Sequence, residues 1–421
     1  MICSTVNFRC LFLLFEFTMT KKEITLLILL ASINFTNIMD FMIMMPLQEF
    51  LEASFNITPK QFGLLVSAYA FSAFAASMTA SFMVDRLDRK HVLLVAFSGL
   101  IIGTFGCGIA SSYAMLMCSR IIAGLFGGLI SAQALSIVGD VFPYEKRGRA
   151  MGLIMAGFAL ATIAGVPFGL YIANKTNWQV PFIGIAILGI ILCIIAFIFI
   201  PSMKAHIDHD RERNIFRIYQ SVGKNRNQQF ALLMMMTLIF SHFAAIPFIA
   251  PYLTKNTGFL QTQLPLMYFF GGMSSLFVTP LVGKLSDKFG KHKVFTFFML
   301  LAIVPVYLLT NLTHVPYYDT LMVTTLFFIV AGGRMVPAQA LVTSVVPAEL
   351  RGGFMNLNSS LQQLSLGLTS FIGGMIISKN DLGELTNYNI IGYMSIAVSL
   401  ICLFITWQVR AVDMKEVEHI S

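Results

Sequence analysis

Polar residues in this chain mostly separate long apolar runs. Runs of about 20 residues, the length a helix needs to cross a hydrocarbon layer at about 1.5 Å per residue, recur twelve times. They lie near 24–48, 60–84, 91–110, 113–138, 148–173, 178–200, 227–252, 261–283, 293–311, 318–343, 352–378 and 388–410. Six fall on each side of 201–226, the longest hydrophilic stretch, which carries Arg211, Arg213, Arg217, Lys224 and Arg226. The pattern predicts an all-α membrane protein with twelve transmembrane helices in two six-helix bundles, 21–200 and 227–410. A linker, 201–226, joins them, an N-terminal extension, 1–20, precedes them and a tail, 411–421, follows.

Composition agrees with lipid as the main solvent: 57% of residues are hydrophobic and 11% charged, with a mean hydropathy of +0.78. Orientation follows from Lys and Arg, which short translocated loops tend to lack. With both termini cytoplasmic, 22 of the 28 fall inside, four outside (Lys60, Lys175, Lys255, Lys379) and two, Arg120 and Arg334, within helices. The formal charge of +8 is then matched by anionic lipid headgroups on the inner face, and no nucleic-acid partner is expected. A bacterial inner membrane and a monomer are the expectation. Arg9 followed by Cys10–Phe15 makes a poor signal peptide, and Met19-Thr20-Lys21-Lys22 reads as the natural start. The six cysteines show neither disulfide nor metal spacing.

The two halves repeat each other. Gly283-Lys284-Leu285-Ser286-Asp287-Lys288-Phe289-Gly290-Lys291-His292-Lys293 follows, 202 residues later, the pattern of Ser81 to His91, and both are short basic turns between apolar runs. Asp140 to Gly148 aligns with Ser344 to Gly352 at an offset of 204, and Asp40-Phe41 falls opposite His242-Phe243, with Pro46 and Pro247 following. These motifs resemble the major facilitator superfamily, whose signature between the second and third helices is Gly-x-Leu-x-Asp-Arg-x-Gly-Arg-Lys. The second copy here is nearly complete, whereas Ser81 and Asp88 replace both glycines in the first. In the fifth run Gly157, Ala161, Gly165 and Gly169 form one small-residue face, and Gly165-Val166-Pro167-Phe168-Gly169 is similar to the antiporter signature of drug/proton exporters. Val166 and Leu170 depart from its fullest form. The small face admits a neighbouring helix, and Pro167 removes a backbone hydrogen bond and can bend its own. Either a gate or ordinary packing follows from that.

Ionisable groups inside spans are costly and usually face a cavity or partner. Asp40 lies about eight residues from the expected outer end of the first span and Arg120 about seven from that of the fourth. Both then sit roughly 10–12 Å below the surface, at a depth that allows pairing. Arg120-Ile121-Ile122-Ala123-Gly124 matches the family motif Arg-x-x-x-Gly, which the resemblance associates with proton coupling. Asp40 is therefore expected to carry the proton and Arg120 to tune it, because low dielectric favours a neutral carboxyl and a nearby cation favours the ionised one. A permanent ion pair is the structural alternative. His242, at the repeat position of Asp40, is either a second coupling group or a satisfied histidine. Arg334 recognises an anionic substrate, balances Asp40, or bonds helix-end carbonyls. Asn356, Ser360, Gln363 and Gly367 form a polar stripe, and with Asn37, Gln133, Tyr69, Tyr268 and the methionines Met39, Met42, Met44 and Met45 they either line a substrate path or pack helices together.

The basic turn Arg86, Arg89, Lys90 is at least a positive-inside anchor. The resemblance implies more: Asp85, at a helix N-terminus across the half-to-half interface, latches the cytoplasmic side closed, with Asp287 its weaker counterpart. His206 to Asp210 lacks supporting ligands, so no metal and no cofactor is expected. No nucleophile–base pair is visible, so the chain is not read as an enzyme. The expectation is a secondary transporter exporting a drug, sugar or metabolite by proton antiport; the alternative is a proton symporter importing a small metabolite.

Overall fold

The computed structural model describes residues 19–83, 87–142, 144–203, 215–347 and 350–410. The first half comprises α1 (Lys21–Ile43), α2 (Gln48–Phe55), α3 (Pro59–Met83), α4 (Arg89–Gly108), α5 (Tyr113–Val141), α6 (Tyr144–Leu160), α7 (Val166–Lys175) and α8 (Gln179–Phe199). After α9 (Ile215–Lys224), the second half comprises α10 (Arg226–Phe243), α11 (Ile246–Asn256), α12 (Leu264–Phe289), α13 (Lys291–Thr310), α14 (Tyr317–Thr343), α15 (Arg351–Ile376) and α16 (Tyr388–Thr406). The stretch expected to be a plain linker thus contains a helix. Val222 of α9 packs against the core of the second half.

Local chemistry sets the breaks. Thr20 and Glu23 cap α1 reciprocally, each side chain accepting the other's backbone N–H. α1 ends at Ile43, and Met45–Leu47 makes one 3-10 turn before α2, because Pro46 cannot donate to the carbonyl one turn back. Pro247 stands in the first turn of α11 just after the matching break behind Phe243. The aligned pairs Asp40-Phe41 and His242-Phe243 therefore sit at equivalent interruptions. Helix continues to Phe55 and Asn256, beyond the expected ends near 48 and 252. Asp40 is consequently some 15 residues, roughly 20 Å along the helix, from the end of its span, deeper than the sequence suggested.

Counting α1–α2, α6–α7 and α10–α11 each as one, eleven stretches among the described residues are long and apolar enough to cross a membrane. α15 has the length, 26 residues, but its first half carries Asn356, Asn358, Ser359, Ser360, Gln362 and Gln363. It packs lengthwise on α3 of the other half, so protein rather than lipid meets much of that polarity. Gly63 and Gly374 permit the approach: a Cβ on Gly63 would stand 2.7 Å from the Ser370 carbonyl oxygen and 2.9 Å from Gly374 Cα. Between α15 and α16, β1 (Ser378–Lys379) pairs antiparallel with β2 (Leu385–Thr386) in a small hairpin.

Below, the outer face is the one to which the Lys and Arg count assigns Lys60, Lys175, Lys255 and Lys379. One core joins the halves near it, bringing Ile43, Leu51, Phe62 and Trp178 together with Phe248, Leu253, Leu264 and Tyr388. The opposite end has a first-half cluster around Leu27, Phe97 and Ile137. The second half has two, around Phe295, Leu341 and Phe354 and around Val294 and Val330, with Met78 of α3 reaching the former.

Candidate functional site

Four helices build a polar knot in the first half. Asp40 (α1) and Arg120 (α5) are each 0% exposed. Arg120 Nη1 donates to Asp40 Oδ2 at 2.9 Å, while the Thr104 (α4) hydroxyl donates to Oδ1 at 2.8 Å. The guanidinium lies over the Tyr69 ring (α3), 4.4 Å from its centroid, and the Tyr69 hydroxyl donates to Asn37 Oδ1 at 3.1 Å. Gly124 and Gly127 are necessary for this, since a Cβ on Gly124 would meet the Tyr69 carbonyl oxygen and one on Gly127 the Tyr69 hydroxyl. Asp40 and Arg120 are thus paired, and Asn37 is joined to them through Tyr69. Thr104 was not singled out from sequence; a lone threonine in an apolar helix usually satisfies itself on the preceding turn, as Thr104 also does through Leu100 O.

Buried ion pairs recover their desolvation cost only with good geometry and further hydrogen bonds. Here the carboxylate has both oxygens engaged, whereas Arg120 Nε and Nη2 meet no oxygen or nitrogen partner among the described residues, the Cys107 thiol being the further group beside the guanidinium. The pair is better satisfied on the anionic side.

The small-residue face of the fifth span packs on the Asp40 helix. A Cβ on Gly157 would lie 2.8 Å from Ala31 O, one on Gly165 3.2 Å from Met39 Sδ, and one on Gly169 2.7 Å from Ile43 Cδ1. Ala161–Gly165 is a π turn, and α7 restarts with Pro167 in its first turn, so the span is irregular where the antiporter-like motif lies. Its other side meets the second half: a Cβ on Gly272 (α12) would be 2.8 Å from Ile163 Cγ1. This element touches both the Asp40 helix and the opposite bundle.

The second half holds its own pair. Arg334 (α14), 1% exposed, has Nη2 at 3.1 Å from His242 Nδ1 (α10), and the imidazole stacks on Phe327 with ring centroids 6.3 Å apart. Among the described residues Arg334 meets neither Asp40 nor helix-end carbonyls, two of the roles its sequence position allowed. Ser360 Oγ donates to Asn356 O at 3.0 Å, Gln363 is half-buried, and Gly367 admits Phe71 of α3. Gln133 and Asn358 are buried with polar atoms unpartnered among the described residues; Asn358 was not singled out from sequence. Tyr268 is buried against Phe328.

Asp85 and Arg86 lie outside the described residues, as does the His206 to Asp210 cluster. Arg89 Nε donates to Asp140 Oδ2 at 3.1 Å and Lys90 Nζ to Phe197 O at 2.8 Å, both within the first half. Asp287 is exposed beside Gly290 and Lys291. Asp88, in place of the family glycine, caps α4 with φ −58°, whereas its counterpart Gly290 takes φ +92°. Burial opposes ionisation of Asp88, but the Ser202 hydroxyl, the N–H groups of Met203 and Lys90, and His91 outweigh it and hold its carboxyl well below the usual carboxylate range.

At the outer face a clasp joins the halves. Lys255 Nζ and Lys379 Nζ of the second half donate to Glu52 Oε2 at 2.6 and 2.7 Å, Gln48 Nε2 supports Oε1 at 2.9 Å, and Thr254 Oγ1 donates to Glu49 at 2.6 Å. The two lysines were assigned to this face from sequence, but Glu49 and Glu52 were not singled out. Their second-half partners lie more than 200 residues away, and no local pattern marks them.

The Major Facilitator Superfamily model matches residues 30–245 and again 230–418, one match per half. The chain is 23% identical over 350 residues to the uncharacterized MFS-type transporter YbcL of Bacillus subtilis, covering 83% of this chain and 88% of that one. It is 24% identical over 337 residues to a probable sugar efflux transporter of Helicobacter pylori, covering 77% and 85%. Among solved structures, a D-xylose–proton symporter superposes with a TM-score of 0.74 at 18% identity, covering 92% of this chain and 98% of that one. With a match to each of its two repeated helical halves, the chain is an integral membrane transporter, not an enzyme, and belongs to the Major Facilitator Superfamily.

Proposed function

We propose that this transporter exports a small molecule in exchange for protons by alternating access, in a bacterial inner membrane with both termini cytoplasmic. The observation that carries the reading is the buried Asp40, whose two carboxylate oxygens are held by Arg120 and Thr104 next to an interrupted helix.

The cycle follows from charge. With the outer clasp shut, Asp40 is ionised and bound to Arg120, and cargo enters from the cytoplasm. When the halves rock and the outer end opens, water reaches Asp40, cargo leaves and a proton binds. A neutral Asp40 no longer holds Arg120 by charge, so the pair loosens. Return to the closed outer end delivers the proton inward and restores the pair. The irregular fifth span, packed on both α1 and α12, carries the change at Asp40 to the other bundle; the basic turn with Asp85, Arg86, Arg89, Lys90 and Asp287 latches the cytoplasmic side in the opposite state. Asn37, Asn356, Ser360 and Gln363 line the path.

The name of the Helicobacter pylori relative fits export, and the antiporter-like motif leans the same way. Inside-out vesicles with an imposed proton gradient, screened against drugs, sugars and organic acids, test direction. Antiport is supported when a compound enters these vesicles as protons leave. Movement of cargo and protons in the same direction overturns it and establishes the symporter instead.

A further inference from the structure

We infer that Arg334, held by His242, is a binding site for an oxyanion, so that the cargo of this transporter carries a carboxylate, phosphate or sulfate group. The inference rests on the transport reading and names the chemistry of its cargo.

Among the described residues the charge of Arg334 lacks a counter-charge. Arg334 is 1% exposed, and its one hydrogen-bond partner among the described residues is His242 Nδ1 at 3.1 Å. A guanidinium can only donate, so Nδ1 accepts and the ring proton resides on Nε2. In this geometry the imidazole is neutral. It orients the guanidinium without offsetting its charge. Nε and Nη1, which hold three of the five N–H donors, have no partner among the described residues, and none of the described ion pairs includes Arg334.

Arg120 in the same molecule shows the contrast. It too is buried with nitrogens unpartnered, but a carboxylate sits at 2.9 Å. An unpaired cation inside a membrane span costs several kcal/mol, and a fold that needed only packing would do better with an apolar side chain. A cation kept in place, with three donors unused, is suited to a ligand that brings the negative charge itself.

Its location fits a cargo site. Phe243, next to His242, and Met335, next to Arg334, pack with Phe41, the neighbour of Asp40, around Ala70, Ile239 and Leu366. This small apolar cluster draws on both halves, and three of its members stand next in sequence to Asp40, His242 and Arg334. Phe327 walls the imidazole on its stacked face. Opening between the halves at this cluster would expose an apolar surface with Arg334 at its edge.

The test titrates purified wild type and Arg334→Gln in detergent with acetate, phosphate and sulfate at constant ionic strength, reading Tm. At least one oxyanion should raise the wild-type Tm along a saturable curve, with apparent affinity at least tenfold weaker in Arg334→Gln; His242→Gln, which removes the orienting acceptor geometry, should fall between. Without anion, Arg334→Gln should be no less stable than wild type, since an uncompensated charge has gone. No saturable rise in wild type, or equal rises in wild type and variant, overturns the inference. So does a variant with lower Tm and wild-type anion affinity, which assigns Arg334 a structural role. A null result here leaves proton-coupled flux dependent on Asp40 intact, so the two readings fail separately.

Discussion

At the scale of the residue, the difference between Asp40 and Arg334 organises the molecule. Asp40 receives a cation and a hydroxyl, and each oxygen is satisfied. Thr104 should therefore matter through Asp40. Thr104→Val removes the donor to Oδ1 and is expected to cost about 1–2 kcal/mol in thermal unfolding, while Thr104→Ser stays near wild type. In an Asp40→Asn background the Thr104→Val cost should shrink, as a double-mutant cycle would show for contacting groups; additive effects would separate the two residues. The sequence displayed Asp40, Arg120, His242 and Arg334 because charge is rare in apolar runs. It could not display Thr104, whose hydroxyl is chemically ordinary until tertiary packing brings Asp40 to it.

At the scale of the element, glycines show which helix faces are committed. Gly157 abuts the backbone of the Asp40 helix, with Ala31 O only 2.8 Å from the point a Cβ would occupy, whereas Gly152 on the same helix has nothing within 4 Å. Gly157→Ala should push α6 from α1, costing about 1–3 kcal/mol and slowing transport. Gly152→Ala should be neutral or stabilising by up to about 1 kcal/mol. Equal effects in unfolding and flux would remove the fifth span from the coupling account. The basic turn offers a pH readout. Asp88 has a depressed folded-state pKa, so its contribution is present at neutral pH and is lost as pH falls below about 4, the unfolded value, and through the folded one. Asp88→Asn keeps a capping side chain but should flatten the acid limb of stability against pH. The small-residue face and the proline were legible in sequence as an irregular, closely packed helix. That its partner is α1 depends on the tertiary fold.

At the scale of the whole molecule, two halves share a core at the outer face and are clasped there by Glu52 between Lys255 and Lys379. The apolar spans and the duplication could be read from the sequence, since membrane crossing leaves a length signature; Pro46 and Pro247 aligned there, but the helix breaks beside them are a finding of the structure. The clasp could not be read there, since a carboxylate carries no address for lysines so distant in sequence. If it holds the outer face shut, Glu52→Gln should shift the open-to-closed ratio about 3- to 10-fold toward outward-open, the equivalent of roughly 0.6–1.4 kcal/mol. Distances between spin labels at the exposed Ala53 and Asp381 would lengthen in that variant and not in Lys60→Gln. Unchanged distances would make the ion pairs incidental.

All three scales meet at the carboxylate of Asp40, and the most direct measurement compares wild type with Asp40→Asn in the same oriented vesicles. Two fluxes are read for one cargo: uphill movement driven by a proton gradient, and exchange of labelled for unlabelled cargo without one. Wild type should perform both, and Asp40→Asn should retain exchange within a few-fold while losing gradient-driven accumulation. Normal uphill accumulation by Asp40→Asn would contradict the assignment of Asp40 as the proton carrier.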